Sequence, residues 1–165
     1  MKRFGVAFSI VVLLVTFAVL AAAGGKPTMI QFGPASPFVV SAADSGCGFD
    51  ILVSPQAGRP SREKAIIFSN SLIVTGPLFS TLQNLTTNIT ANINATGPAT
   101  VIFSDNTVVA RGTSFTTLPA NVAQAAGLPT LALTSGALTL TLDDMGNIIS
   151  ASLVGTAQNA CLLLE

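Results

Sequence analysis

The sequence contains no histidine, no tryptophan and no tyrosine. Without an imidazole, the chain cannot form the Ser-His-Asp or Cys-His arrangements in which histidine takes the proton of the nucleophile. Most zinc and iron sites also use histidine as a ligand, so the same absence argues against them. The sequence therefore predicts no metal site, no cofactor and none of the common histidine-dependent enzymes.

Charged side chains are also scarce, at 8% of the residues, with seven basic groups balancing seven acidic ones. Nucleic-acid-binding domains usually carry a clear basic excess, so we predict no nucleic-acid partner. The missing tryptophan and tyrosine remove the usual stacking platforms for sugars and bases. What the chain does have is 50% hydrophobic residues, 18 threonines and 14 serines. This composition indicates a folded domain with a hydroxyl-rich surface.

The N-terminal segment has the three parts of a secretory signal peptide. Lys2 and Arg3 precede an apolar run from Phe4 to Leu20, and Ala21-Ala22-Ala23 provides an A-x-A cleavage site. We predict a signal peptide over residues 1–23 and a secreted, extracellular protein with no stable membrane span after cleavage. The alternative is an uncleaved anchor, because the run approaches the roughly 20 residues that cross a bilayer.

Cys47 and Cys161 are the two cysteines of the chain, one near each end of the mature domain. An even number of cysteines in an oxidising compartment indicates disulfide bonding, and here one pairing is possible. We therefore predict a bond between Cys47 and Cys161. The alternative is a pair of buried free thiols.

Period-two alternation between apolar and polar residues predicts β-strands throughout the chain. In the clearest example, the odd positions of 89–95 should be buried and the even positions of 88–94 exposed. Residues 137–142 alternate, turn at 143–147 and return through 149–153, which predicts a hairpin.

Further strands are predicted at 65–68 and 71–74, and a second hairpin joins two segments around Asp105-Asn106. Cys47, Phe49, Ile51 and Val53 alternate along what should be the first core strand. One short helix is predicted over residues 120–126. Its length makes it marginal on its own.

Many short strands separated by Gly/Pro turns predict an all-β fold, an antiparallel β-sandwich over residues 46–165. A small β-barrel is the alternative. Residues 24–45 contain three prolines and alternate poorly, so we predict an extended N-terminal lead-in there.

The order of several motifs resembles small secreted proteins of actinobacteria and some filamentous fungi. The similarity covers about Ser45 to Leu162 and rests on Cys47-Gly48-Phe49, Gly97-Pro98, the segment 136–143 with Gly146-Asn147, and Cys161 near the end. The resemblance implies an extracellular location and a bond between the two cysteines. It implies no catalytic residue.

Three acidic motifs have two interpretations each. Asp44-Ser45-Gly46 matches the D-[ST]-G triplet of aspartic proteases, but a turn before a strand also explains it. Asp50 lies outside the predicted turns and is a candidate for a carboxylate-dependent hydrolase. It also lies in the predicted first strand on the face opposite Cys47, so simple exposure to solvent explains it as well. Asp143-Asp144 with Asn147 offers fewer oxygens than the six to eight that calcium prefers, and the same residues suit a hairpin turn.

The function predicted from these features is a secreted, non-enzymatic protein that acts by surface contact. Its unknown extracellular partner is a host, a cell wall or another protein, bound through faces rich in threonine and asparagine. Asn84, Asn88 and Asn94 begin N-x-T motifs and are possible glycosylation sites. The alternative is a hydrolase that uses carboxylates alone, glycosidase-like or aspartic-protease-like, which requires two acids converging in one pocket.

Overall fold

The computed structural model describes residues 27–32, 35–59 and 62–165. The predicted signal peptide, 1–23, lies outside these residues. No helix in the described ranges is long and apolar enough to cross a membrane. The elements are, in chain order, β1 (Thr28–Gln31), β2 (Phe38–Val40), α1 (Ala42–Ser45), β3 (Ile51–Pro55), β4 (Lys64–Ile67), β5 (Ser71–Thr75), β6 (Phe79–Asn84), β7 (Thr90–Asn94), β8 (Ala99–Ile102), β9 (Thr107–Thr117), α2 (Ala120–Ala126), β10 (Leu131–Leu142), β11 (Ile148–Asn159) and a terminal 3-10 helix (Ala160–Leu163).

The strands form two antiparallel sheets. The large sheet has the order β1-β4-β5-β8-β9-β10-β11, and the small sheet has the order β2-β3-β6-β7. These two antiparallel sheets confirm the predicted all-β fold class and agree with the predicted sandwich.

One long hairpin belongs to both sheets. One arm of the hairpin consists of β5 followed by β6, and the other arm consists of β7 followed by β8. The two arms pair in one register throughout, from Ser71 opposite Ile102 in the large sheet to Gln83 opposite Thr90 in the small sheet. A hydrogen bond from the Ala95 amide to the Leu78 carbonyl, 2.9 Å long, continues the ladder toward the crossing. The Gly-Pro pairs 76–77 and 97–98 lie where the two arms pass between the sheets.

Glycines line up across the large sheet where these arms bend. Gly136 pairs with Gly112 on one side and with Gly155 on the other. Extending the neighbouring registers places Gly97 beside Gly112, and Gly76 beside Gly97. We call these five residues the glycine row.

Two members of the glycine row show why a side chain cannot replace the hydrogen. Gly136 and Gly155 have φ values of +131° and +151°, which L-residues rarely adopt. A Cβ atom on Gly136 would also collide with the Val154 carbonyl oxygen, and one on Gly155 with the Ser135 carbonyl oxygen. The backbones of β10 and β11 therefore approach closely at the bend.

The bend divides the interior into two cores. The first core lies against the large sheet and includes Leu118 and Val122 from the α2 region. The second core lies between the small sheet and the far ends of β9 and β10. It contains Ile51, Leu82 and Ile93.

Strand β10 contributes to both cores. After Gly136, the even positions Leu138, Leu140 and Leu142 enter the first core. Before Gly136, the odd positions Leu131 and Leu133 contact the second core. The buried face of the strand thus changes at the glycine row.

Several predicted elements are confirmed. The hairpin around 143–147 is formed by β10 and β11, the hairpin around Asp105-Asn106 by β8 and β9, and the strands at 65–68 and 71–74 correspond to β4 and β5. α2 occupies the predicted helical segment. β9, β10 and β11 are longer than predicted, because each continues through a glycine of the row.

The predicted register of 89–95 is confirmed from residue 92 onward, and Ala91, also predicted to be buried, is partly buried. Ile93 and Ala95 are buried, whereas Asn92 and Asn94 are exposed. The prediction is wrong for Ile89, which is 39% exposed. The turn of the long hairpin includes this residue, and β7 begins only at Thr90.

The beginning of the domain also differs from the prediction. Residues 46–49 bend rather than extend, because Gly46 and Gly48 have φ values of +70° and +76°. Strand β3 therefore begins at Ile51, although Cys47 and Phe49 still pack against the second core.

The segment predicted as an extended lead-in supplies two strands and a helical turn. β1 pairs with β4 at one edge of the large sheet, and β2 pairs with β3 at one edge of the small sheet. Prolines are compatible with edge strands, since one side of an edge strand has no partner to bond. The prolines of this segment argued against strands in the sequence, but they do not prevent the two edge strands from forming.

Candidate functional site

The large sheet has seven strands, and we call its face opposite the first core the outer face. Side chains on this face belong to neither core cluster of the described residues. One cross-strand row runs over all seven strands, formed by Met29, Ile66, Ile73, Thr100, Val109, Thr139 and Ser152.

The outer face is aliphatic on one half and hydroxyl-rich on the other. Met29, Ile66 and Ile73 lie on β1, β4 and β5, whereas β10 and β11 present threonine and serine. The Ser150 hydroxyl donates to Thr141 Oγ1 over 2.9 Å. In the described strands, this face has two charged side chains, Lys64 and Arg111, both on the side nearer the glycine row.

The sequence patterns predicted strands in this region but not the outer face. The signal was present, because residues 65–67 and 72–74 are apolar at odd and even positions alike. A strand that is apolar on both sides has more apolar surface than a single core can cover.

A shallow groove of about 220 Å³ lies on β9, β10 and β11 next to the glycine row. One of its lining side chains, the buried Thr134, is hydrogen-bonded through its hydroxyl to the Ser114 hydroxyl over 2.6 Å. The groove offers hydroxyls and one amide, but no charged group, from its lining residues Thr113, Leu133, Thr134, Ser135, Thr156, Ala157 and Gln158.

The predicted disulfide between Cys47 and Cys161 is present, with Cα atoms 5.3 Å apart. It joins the bend after α1 to the terminal 3-10 helix. The Asn159 side chain caps this helix, accepting a hydrogen bond from the Cys161 amide over 3.0 Å. The C-terminus is thereby attached to the second core.

Asn84, the first of the three possible glycosylation sites, has a structural role. Its side chain is 2% exposed, and its Nδ2 atom donates to the Leu164 carbonyl over 3.1 Å. Its Oδ1 atom accepts from the amides of Thr86 and Thr87. In the folded protein, Nδ2 is therefore enclosed and already hydrogen-bonded, which leaves no space there for a glycan.

The other two possible glycosylation sites, Asn88 and Asn94, are exposed. Asn88 has a φ of +63° and accepts a hydrogen bond from Gln83 Nε2 over 3.0 Å. Asn94 Oδ1 accepts from both the amide and the hydroxyl of Thr96. Both side chains thus lie at the surface of the small sheet.

The carboxylates of Asp44 and Asp50 stabilise α1. Asp50 Oδ1 accepts from the Ala42 amide over 2.8 Å, and the Ser41 hydroxyl donates to Asp44 Oδ2 over 2.6 Å. Ser41 is the N-cap of this helix, and Gly46 ends it in the left-handed conformation. These contacts fit the turn interpretation of Asp44-Ser45-Gly46, since capping groups satisfy backbone amides that have no intrahelical partner.

Asp143 organises the turn between β10 and β11. Its carboxylate accepts hydrogen bonds from the Asn147 side chain and from the amides of Asn147 and Met145. These bonds, chiefly the one from Asn147, lower the pKa of Asp143 below its ordinary value. Asp144 accepts from Asn106 over 3.3 Å, which links this turn to the β8–β9 turn.

Throughout the described residues, no three His, Cys, Asp or Glu side chains cluster as metal ligands would.

Glu63 lies at the end of the glycine row. Extending the β4–β5 register places it opposite Gly76, and its backbone carbonyl accepts from the Phe32 amide over 3.0 Å. Its side chain is half-buried, and this burial raises the pKa of the carboxyl above its ordinary value of 4.5.

We expect Glu63→Gln to stabilise the protein at pH 7 but not at pH 3. A carboxyl with a raised folded-state pKa contributes stability below its unfolded pKa, and this contribution is lost as the pH rises through the folded pKa. The gain should stay under about 1 kcal/mol, because the site is partly open to solvent. Urea unfolding at both pH values measures it, and an equal effect at the two values would contradict the assignment.

Comparison of the chain with protein-family models, with curated proteins and with solved structures gave no match.

Proposed function

We propose that this protein is a secreted, non-enzymatic module that binds a protein partner outside the cell through the outer face. The observation that carries the proposal is the cross-strand row from Met29 to Ser152, which combines aliphatic and hydroxyl side chains on a face with little charge. Protein interfaces have this character, with charged residues depleted at the centre of the contact and a substantial apolar fraction.

A protein partner fits this surface better than a cell-wall polysaccharide. Sugar-binding sites usually stack the sugar ring on tryptophan or tyrosine, and the chain has neither. Ile66, Ile73 and Val109 instead offer aliphatic contact, which suits a complementary protein surface.

Secretion is part of the proposal. It is supported by the signal-peptide pattern of residues 1–23, by the disulfide between Cys47 and Cys161, and by the resemblance to small secreted proteins. In a host that adds N-linked glycans, Asn88 and Asn94 are the proposed acceptors. Intact-mass measurement of protein from the culture medium tests both points, with a chain beginning at Gly24 as the expected product.

The binding proposal is tested with two matched threonine variants. Thr139 lies in the middle of the outer face, and Thr81 lies in an interior strand of the small sheet. We expect Thr139→Lys to abolish binding of the mature protein to the extracellular material of its producer or host. Thr81→Lys should leave binding unchanged. Treatment of the extracellular material with protease should abolish its binding of the wild-type protein.

Three results would contradict this function. Wild-type protein that binds nothing contradicts it directly, and binding that survives protease but is lost on glycan digestion indicates a cell-wall partner. Turnover of glycan or peptide substrates that disappears in Asp50→Asn or Asp44→Asn would instead support the carboxylate-dependent hydrolase.

A further inference from the structure

β11 forms an open edge of the large sheet. Among the described residues, no backbone group of residues 149–158 bonds to a segment other than its neighbour β10. The strand runs for 12 residues and contains neither a charged residue nor a proline. Its Val154 side chain is 81% exposed. An unpaired ladder of this length is a template for another strand.

The other sheet edges in the described part of the chain are far shorter. β1 has four residues, β2 has three and β7 has five. Very short edge strands are one way in which proteins prevent unwanted pairing. β11 has a register shift where it meets the end of β10, but this lies at the turn rather than at the strand centre. Helix α2 packs against β11, yet the positions from Val154 to Gln158 remain exposed.

The bend in the sheet favours one register for a strand that pairs with β11. In the three long strands, glycine pairs with glycine at the bend, Gly112 with Gly136 and Gly136 with Gly155, and a Cβ atom at Gly136 or Gly155 would strike the backbone of the other strand. A strand that extends the bent sheet beyond β11 continues this pattern when it has a glycine opposite Gly155. β11 itself has such a glycine.

We propose that two copies of this chain associate through β11, paired antiparallel with Gly155 opposite Gly155. The two-fold axis of the dimer then passes between the two Gly155 residues. On each side of this axis, Val154 of one copy lies opposite Thr156 of the other. Residues 151–159 of the two copies would form about nine new backbone hydrogen bonds, close to the roughly ten of a typical protein interface. The absence of charge in β11 means that identical strands meet without repulsion.

The dimer would also affect how the outer face is displayed. A two-fold axis perpendicular to an antiparallel sheet leaves the same face of both copies pointing in one direction. The two outer faces would then form one continuous surface over fourteen strands. Self-association does not depend on the proposed partner, and its test uses the purified protein alone.

The register is tested by charge substitution at the two facing positions. We expect the wild-type mature protein to sediment as a dimer in analytical ultracentrifugation. Val154→Lys with Thr156→Lys places like charges opposite each other, and should raise the dimer dissociation constant at least ~10-fold. Val154→Lys with Thr156→Glu places opposite charges across the axis, and should retain the dimer.

Asn92→Lys with Asn94→Lys is the matched control, because it adds the same charge to exposed positions of another edge strand. This control should remain dimeric. Amide hydrogen exchange provides a second measurement, with protection of 151–159 expected to fall on dilution. The proposal would be overturned by a wild-type protein that sediments as a monomer, or by a control variant that dissociates as readily as the Lys/Lys variant. It would also be overturned if the Lys/Glu variant were monomeric, or if amide protection depended on concentration in a segment other than 151–159.

Discussion

Replacing Cys47 and Cys161 together by alanine should lower the free energy of unfolding by about 4–5 kcal/mol. The two residues are separated by 114 positions, so their bond removes a large amount of chain entropy from the unfolded state. Natural domains have a total stability of about 5–15 kcal/mol, which makes this loss a large fraction of the total. Urea unfolding of the double variant and the wild type measures the difference.

Reduced wild-type protein is the control for the cysteine variant. It should lose a similar amount of stability, because it keeps both side chains and lacks only the covalent bond. A loss of less than about 1 kcal/mol in both proteins would contradict the entropic role assigned to the disulfide. A loss in the alanine variant alone would assign the effect to packing around Cys161, which is buried in the second core.

Gly136→Ala should lower the free energy of unfolding by roughly 3 kcal/mol or more. The substitution places a Cβ atom against the Val154 carbonyl oxygen and requires an L-residue at a φ of +131°. The colliding atom belongs to the backbone and the strain is in a backbone dihedral angle, so no side-chain rotation relieves either problem. Thermal or urea unfolding measures the effect.

Gly58→Ala separates the two contributions to that loss. Gly58 also has a positive φ, +74°, but a Cβ atom there would meet nothing within 4 Å. We expect this variant to lose only about 1 kcal/mol, the usual cost of a left-handed residue. Equal losses in the two variants would show that the close approach of β10 and β11 contributes nothing.

The sequence predicted those parts of the fold in which alternation is local and unbroken. Leu138, Leu140 and Leu142 alternate with threonine up to a turn that Asp143 and Asn147 suit, and the hairpin follows directly. The cysteine pairing could be predicted because a single pair exists. In each case, the deciding information lies in a few neighbouring residues or in a simple count.

The glycine row could not be predicted in the same way. A glycine within a strand pattern usually indicates a bulge or a strand end, so the strands were expected to stop near Gly112 and Gly136. What permits them to continue is the alignment of glycines from segments far apart in sequence, and this depends on registers that only the folded structure fixes.

The role of Asn84 was hidden for a related reason. Its N-x-T motif is a local pattern, whereas its burial depends on Leu164, 80 residues later. Asn94 has the same motif, but its strand position alone predicted exposure correctly. Sequence therefore distinguished the polar face of β7, but not an amide that attaches the C-terminus.

The position of the disulfide has a consequence for proteolytic nicking. Beyond the predicted signal peptide, the chain has five lysine and arginine residues, but trypsin does not cut after Lys26 or Arg59, because a proline follows each of them. The remaining three, Arg62, Lys64 and Arg111, all lie between the two bonded cysteines. A single cut at any of these three opens a covalent ring instead of releasing a fragment, and the antiparallel pairing of β4 with β5 and of β9 with β10 remains to hold the cut ends. The nicked molecule stays in one covalent piece.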